Sequence, residues 1–338
     1  MLRRLRVPAP VLLVLLLAPV TAEYLIGYDD ITGNAVALIF GVFFFAPLYG
    51  APAVLIREVT RRRGLGWPTI LLLAAAFGLI EAGLVDQSLF DPAYRDISYW
   101  DDLRDPTFLP WCRTSAYMLL TFVGGHVLGS IAAPVAMAET WWPDRARGPW
   151  LGPFGLVVTG LLWLAGSAFI LVDQLSSTSF RISPAELWGT VTVVLALVAI
   201  ALTRRRPHPD HPGPVPAPWV VGLVSAVLLT VRSVVGTNWA WTLTAVAATV
   251  VWLVLMGQWS ARRGWDGRHL VAALVGDLLS IGGPAFVATP LGDVPLAAKL
   301  TSNVLLLALV LGLAARGYRS SARADAAALS PADGRSSG

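Results

Sequence analysis

Long apolar blocks, each about 20 residues, alternate along this chain with short polar segments. That length matches what an α-helix needs to cross a hydrocarbon core roughly 30 Å thick. Ten blocks can be drawn, near 8–26, 34–56, 67–88, 114–137, 151–172, 185–203, 217–235, 239–257, 269–287 and 297–315. The pattern predicts an all-α fold, a polytopic transmembrane helical bundle of about ten spans occupying residues 1–316. Beyond Arg316 the chain is rich in Ser, Ala, Asp and Gly without periodicity, so 317–338 reads as a disordered tail.

The polar segments differ in sign, and that sets an expected orientation. Every second segment is rich in arginine: Arg3, Arg4 and Arg6; Arg57 and Arg61 to Arg63; Arg145 and Arg147; Arg204 to Arg206; Arg262, Arg263 and Arg268; and Arg316, Arg319, Arg323 and Arg335. The intervening segments carry Glu23, Asp29, Asp30, Asp91, Asp96, Asp101, Asp102, Asp105, Asp173 and Asp293 instead. Basic loops stay in the cytoplasm, so both termini are expected there, in a bacterial cytoplasmic membrane. Tryptophans agree, because most fall at block boundaries, where the amphipathic indole favours the headgroup level. Arg3, Arg4 and Arg6 also precede an apolar core ending in Val20-Thr21-Ala22, which fits a signal-peptide cleavage site. The apolar run continues through Tyr24-Leu25-Ile26, so an uncleaved first span is expected.

Composition narrows the function classes. Of 338 residues, 56% are hydrophobic and only 14% charged, against roughly 25% charged in soluble domains. Soluble enzymes, nucleic-acid-binding modules and disordered proteins are excluded. The bilayer is the expected partner, together with a membrane-protein partner or a small-molecule or ion substrate. The single Cys112 excludes an intrachain disulfide. His208 and His211 sit in a proline-rich loop that pre-forms no ligand shell, so no metal site and no cofactor is expected.

Ionisable groups inside apolar blocks are costly and mark sites by default. Three stand out: Glu81 in the third block, His126 in the fourth and Asp277 in the ninth. At 1.5 Å rise per residue, His126 and Asp277 both lie about 18 Å from the acidic end, deep enough to meet near the midplane. Glu81 lies some 9 Å from that end, followed by Asp86 and Gln87. Facing one another, these groups would form a polar well open to the outside. Each could instead serve only as interhelical glue. Ser130 and Pro134 follow His126 at four-residue intervals, beside a small-residue ridge of Gly125, Gly129 and Ala133. The 91–113 loop interleaves acids with aromatics, as a cavity cap or an interfacial loop would.

Glu81-Ala-Gly-Leu-Val-Asp86 and Phe122-Val-Gly-Gly-His126 carry a family resemblance. The second is similar to the Phe-x-x-x-His motif of CPBP-type intramembrane proteases. The first keeps one Glu of their Glu-Glu-x-x-x-Arg motif, with Ala82 and Asp86 in place of the second Glu and the Arg. The third motif, His-x-x-x-Asn/Asp, is missing, since Ala273 stands four residues after His269. The resemblance implies a degenerate protease or pseudoprotease whose metal would lack ligands. The 57–63 segment and Ser88-Leu89-Phe90-Asp91-Pro92 also resemble multi-pass membrane proteins of high-GC bacteria. The leading expectation is a permease or transport-associated subunit, not an enzyme, with Glu81, His126 and Asp277 on a proton or substrate path. A degenerate CPBP-like protease and a structural partner of a membrane complex are the alternatives.

Overall fold

The computed structural model describes residues 7–204, 213–234 and 236–329. His208 and His211 lie outside the described residues. Nine described helices are long and apolar enough to cross a membrane, and a tenth apolar helix of 17 residues, Pro218–Val234, lies between the sixth and the eighth. In chain order they are α1 (Ala9–Ile26), α2 (Ala35–Arg62), α3 (Trp67–Val85), α4 (Ala116–Trp141), α5 (Pro153–Ser177), α6 (Pro184–Thr203), α7 (Pro218–Val234), α8 (Trp239–Ser260), α9 (Gly267–Phe286) and α10 (Leu296–Leu329). The protein is an all-α, multi-pass helical bundle, and each helix coincides with one of the ten apolar blocks.

Local sequence explains where these helices begin. Pro153, Pro184 and Pro218 each open a helix, where the missing amide costs nothing. Asn34 and Asn238 accept from the backbone amides of Ala37 and Trp241, both at 3.1 Å. Ser183 with Glu186, and Asp266 with His269, form reciprocal caps at α6 and α9. Gly27, at φ 68°, ends α1 in the left-handed conformation that glycine adopts without strain.

Two apolar cores share α1 and α4. One joins them to α2 and α3 through Val14, Ala18, Val54, Ile70, Phe77 and Ile131. The other joins them to α9 and α10 through Leu17, Met137, Leu278 and Val310. The expected small-residue ridge explains how closely α1 and α4 approach. A Cβ on Gly129 would come 2.7 Å from Thr21 O, and Thr21 Oγ1 donates to Gly129 O at 2.6 Å. Helices α5, α6 and α8 leave most of their apolar side chains on the outside, as lipid-facing helices must.

Contacts sort the connecting segments into two sets, one at each end of the bundle. At the arginine-rich end, Arg57 reaches the 145–146 carbonyls, Arg62 reaches Leu151 O, Thr69 reaches Ala201 O, and Arg268 lies 3.6 Å from Asp325. At the acidic end, Gln174 donates to Asp91 at 3.0 Å, Arg113 pairs with Glu186 at 2.9 Å, and Leu291 N donates to Tyr28 O at 2.6 Å. The 86–115 segment folds over that end as short helical turns and a two-stranded ribbon, Phe108–Leu109 against Thr114–Ser115.

The tail departs from expectation. Helix α10 continues past Arg316 to Leu329 rather than ending in disorder. Hydrophobic periodicity stops at 316, but Ala322, Ala324, Ala326 and Ala327 are strong helix formers. Buried Ser321 and the Asp325–Arg268 contact hold the extension to the bundle. Residues 330–338 of the expected tail lie outside the described residues.

Candidate functional site

Three helices widen into π-helical turns, at Ala46–Gly50 in α2, Glu81–Val85 in α3, and Leu119–Val123 and His126–Ala132 in α4. Such turns concentrate at functional sites, because the extra residue per turn re-aims side chains and frees backbone carbonyls. Proline supplies the local cause in two of them. Pro52 cannot donate to Leu48 O, nor Pro134 to Ser130 O, so the preceding turn of each helix relaxes.

The widened turns place Tyr49, Glu81, His126 and Ser130 together. His126 Nε2 lies 2.8 Å from Glu81 Oε2, although the approach is too far off line for an aligned hydrogen bond. His126 Nδ1 lies 3.1 Å from Ser130 Oγ. The Tyr49 ring stacks on the imidazole at 5.8 Å between centroids, and the Phe77 ring meets it edge-on at 5.5 Å. Gly78 gives the room: a Cβ there would come 3.1 Å from His126 Cβ. Glu81 is 3% exposed at its side chain and His126 13%, so the imidazole is the half of the pair still within reach.

Above this pair lies a second hydrogen-bonded group. Tyr49 donates its hydroxyl to Glu23 Oε1, and Tyr28 donates to Glu23 Oε2 at 3.4 Å. Glu23 and Asp86 each lie near enough to Glu81 and His126 to act on them electrostatically. Tyr28 forms part of the wall of an acidic-end pocket of about 400 Å³, with Asp29, Asp30, Arg95, Asp96 and Tyr99. Asp86 closes α3 at this end, accepting from Ser88 N at 2.8 Å and from Tyr94 Oη at 3.4 Å. Burial, with Glu81 nearby, pushes its carboxyl up to about 7. Gln87, the next residue, adopts φ 61° and is buried with Oε1 unpartnered. Its place is the turn that ends α3.

No family model, curated protein or solved structure matches this chain. The geometry therefore carries the functional argument alone.

Glu81, His126 and Ser130 converge, and Asp86 lies beside them. Asp277 does not join them. It is buried in α9, and the charge acting on it is Arg232 of α7. Depth along a helix predicts which side chains share a level in the membrane, but not which neighbouring helix each one faces.

Two further groups escape the pattern of buried ionisable residues. Glu23 and Tyr49 belong to the site, but Glu23 stands at the end of an apolar block, where it counts as an external acid. At the arginine-rich end, Arg57 and Glu58 are fully buried and Glu139 is 4% exposed. Arg57 binds Glu139 at 3.1 Å, Glu58 at 2.9 Å and the carbonyls of Arg145 and Ala146, while its guanidinium carbon lies 3.5 Å above the Trp150 ring. Arg61 binds Glu139 through two nitrogens at 2.7 and 2.6 Å, and Glu58 accepts from the amides of Trp150 and Leu151. Two acids amid an arginine-rich end were the available signal. This network ties α2 to α4 and to the 142–152 segment, closing the end of the bundle opposite the pocket.

Proposed function

We propose that this protein is a proton-linked permease, or the proton-binding subunit of one, in a bacterial cytoplasmic membrane. The observation that carries the reading is the file of protonatable groups from the acidic-end pocket through Tyr28, Glu23 and Tyr49 to the Glu81–His126 pair. Intramembrane carboxylate and histidine chains are the usual construction of proton relays. Glu23, Glu81 and His126 act on one another electrostatically, so a proton arriving from the pocket is felt across the cluster. Arg57, Glu58, Arg61 and Glu139 seal the other end, which supports access from the pocket side only in this conformation. With arginine-rich loops cytoplasmic, that side is the outside.

A second reading rests on the Glu81–His126 contact itself. A carboxylate and an imidazole 2.8 Å apart in the membrane can activate a water molecule for hydrolysis. These are also the two residues through which the chain resembles CPBP-type proteases.

Flux separates the two readings. Proteoliposomes holding wild-type protein, given an inward proton gradient and a panel of labelled amino acids, amines and sugars, should accumulate at least one of them. Glu81→Gln and His126→Gln should each abolish that uptake. Gradient-independent wild-type behaviour, with cleavage of a membrane-embedded peptide that Glu81→Gln abolishes, would replace the permease reading with the hydrolase.

A further inference from the structure

Helix α4 has a charged neighbour on its other face. Arg232, in the last turn of α7, is 9% exposed, and its guanidinium lies against Gly124, where a Cβ would come 3.2 Å from Nη1. Positions 124 and 126 point to nearly opposite sides of a helix. Helix α4 therefore stands as a partition, with His126 and Glu81 on one side and Arg232 on the other. The groups acting electrostatically on Arg232 are Asp277 of α9 and Tyr117, two turns above Gly124 on α4.

What distinguishes Arg232 and Asp277 is that neither is satisfied. Among the described residues Arg232 makes no hydrogen bond and no ion pair, and its Nε and Asp277 Oδ1 are both buried without a partner. The contrast within the molecule is sharp: Arg57, also buried, binds two carboxylates and two carbonyls. A guanidinium and a carboxylate left unpaired in a low-dielectric interior each carry a desolvation cost that a contact pair would offset. The two stand apart with their polar atoms open, as a donor fork and an acceptor awaiting a third group.

The α4 surface beside Arg232 is bare of side chains at two successive positions. Gly124 and Gly125 present no side chains, and a Cβ on Gly125 would meet nothing within 4 Å. One turn nearer the arginine-rich end, Leu128, Leu229 and Trp252 pack as an apolar cluster, with Trp252 Nε1 donating to Ser225 Oγ at 3.0 Å.

We propose that Arg232 and Asp277 form a binding site for a zwitterion, its carboxylate or phosphate on the guanidinium and its ammonium on Asp277. The planar fork of arginine matches either anion in a two-point hydrogen bond. The Asp277 carboxylate can accept from an ammonium, and a molecule carrying both charges satisfies both residues while remaining neutral overall. Free amino acids and phosphoethanolamine have this chemistry, and so does the headgroup of phosphatidylethanolamine. The site is separate from the proton cluster, so binding tests it independently of transport.

The test measures equilibrium binding of radiolabelled glycine and radiolabelled O-phosphoethanolamine to the purified full chain in detergent. A parallel arm uses nanodiscs of phosphatidylglycerol with and without phosphatidylethanolamine, and measures retention of the latter. The wild type should bind one zwitterion saturably, with acetate, phosphate and ethylamine competing poorly. Arg232→Gln and Asp277→Asn should weaken binding about tenfold or more, as expected for losing a charged hydrogen-bond partner. Gly124→Ala would set a Cβ 3.2 Å from Arg232 Nη1 and crowd the guanidinium without removing either charge, so it should weaken binding. Binding of the soluble probes identifies a free zwitterion; selective retention of phosphatidylethanolamine alone identifies a lipid headgroup. Absence of both, equal competition by a singly charged ion, or affinity unchanged in Gly124→Ala and in whichever charge variants fold would overturn the proposal.

Discussion

Each residue of the Glu81–His126 pair was legible in the sequence, because an ionisable group inside an apolar block has few bland explanations. Depth set them at different levels, about 9 and about 18 Å from the acidic end, and what linked them in the sequence was the pair of protease-like motifs that carry them. The Asp277–His126 convergence failed for a physical reason. Residues at equal depth can face opposite sides of an intervening helix, and Asp277 acts on Arg232, which lies against Gly124 on the other face of α4. Glu23 and Tyr49 were hidden by position and by type, since a boundary acid and a membrane tyrosine are both ordinary. Asp86 carries a pH prediction. Its carboxyl rises from an ordinary 3.8 to about 7 through burial first and the Glu81 charge second. A group whose folded value is raised contributes stability while protonated and loses it as pH climbs through that value. Thermal unfolding of the wild type in detergent should therefore move to lower temperature between about pH 4 and about pH 8. Asp86→Asn should flatten the profile across that window, and a profile unchanged in the variant would remove Asp86 from the account.

Helix boundaries were the most legible feature at the next scale, since prolines and polar caps stand at the starts of the α5, α6, α7, α8 and α9 helices. What periodicity could not convey was the widening of α2, α3 and α4 into π-helical turns, which depends on prolines and on tertiary packing together. Asp266 tests the caps. Although its partial burial opposes this, hydrogen bonds from Arg268 and His269 hold its carboxyl below the usual range. Its contribution should persist above pH 3.8 and be lost as pH falls below it. Asp266→Ala should cost about 1 kcal/mol at neutral pH, measured by reversible unfolding in mixed micelles. The Arg57 network predicts a larger effect. Arg57→Met leaves Glu58 and part of Glu139 without their buried cation, and should destabilise by about 3–5 kcal/mol. A loss below about 1 kcal/mol would mean that the network is solvated rather than sealed.

For the whole molecule, the alternation of arginine-rich and acidic segments anticipated the ends at which those segments meet. Block length alone located the nine described helices long enough to cross a membrane and the shorter Pro218–Val234. The sequence could not reveal that α1 and α4 form the shared centre of two cores, or that α10 extends beyond its apolar stretch by alanine propensity and a salt contact. Reporter fusions at Arg62, Asp144 and Ser320 should fall on one side, the cytoplasm, and fusions at Asp101 and Ser177 on the other. A shared signal from Arg62 and Asp101 would break the ten-helix alternation.

The central claim is that Glu81 and His126 form one proton-binding unit reached from the acidic end. Infrared difference spectra of the protein in nanodiscs, recorded across a pH titration, read buried carboxyl groups directly. One band in the carboxyl or carboxylate region should be lost in Glu81→Gln, and the same band should move in His126→Gln, because the two side chains lie 2.8 Å apart. Spectra in which neither substitution changes any carboxyl or carboxylate band would contradict the claim.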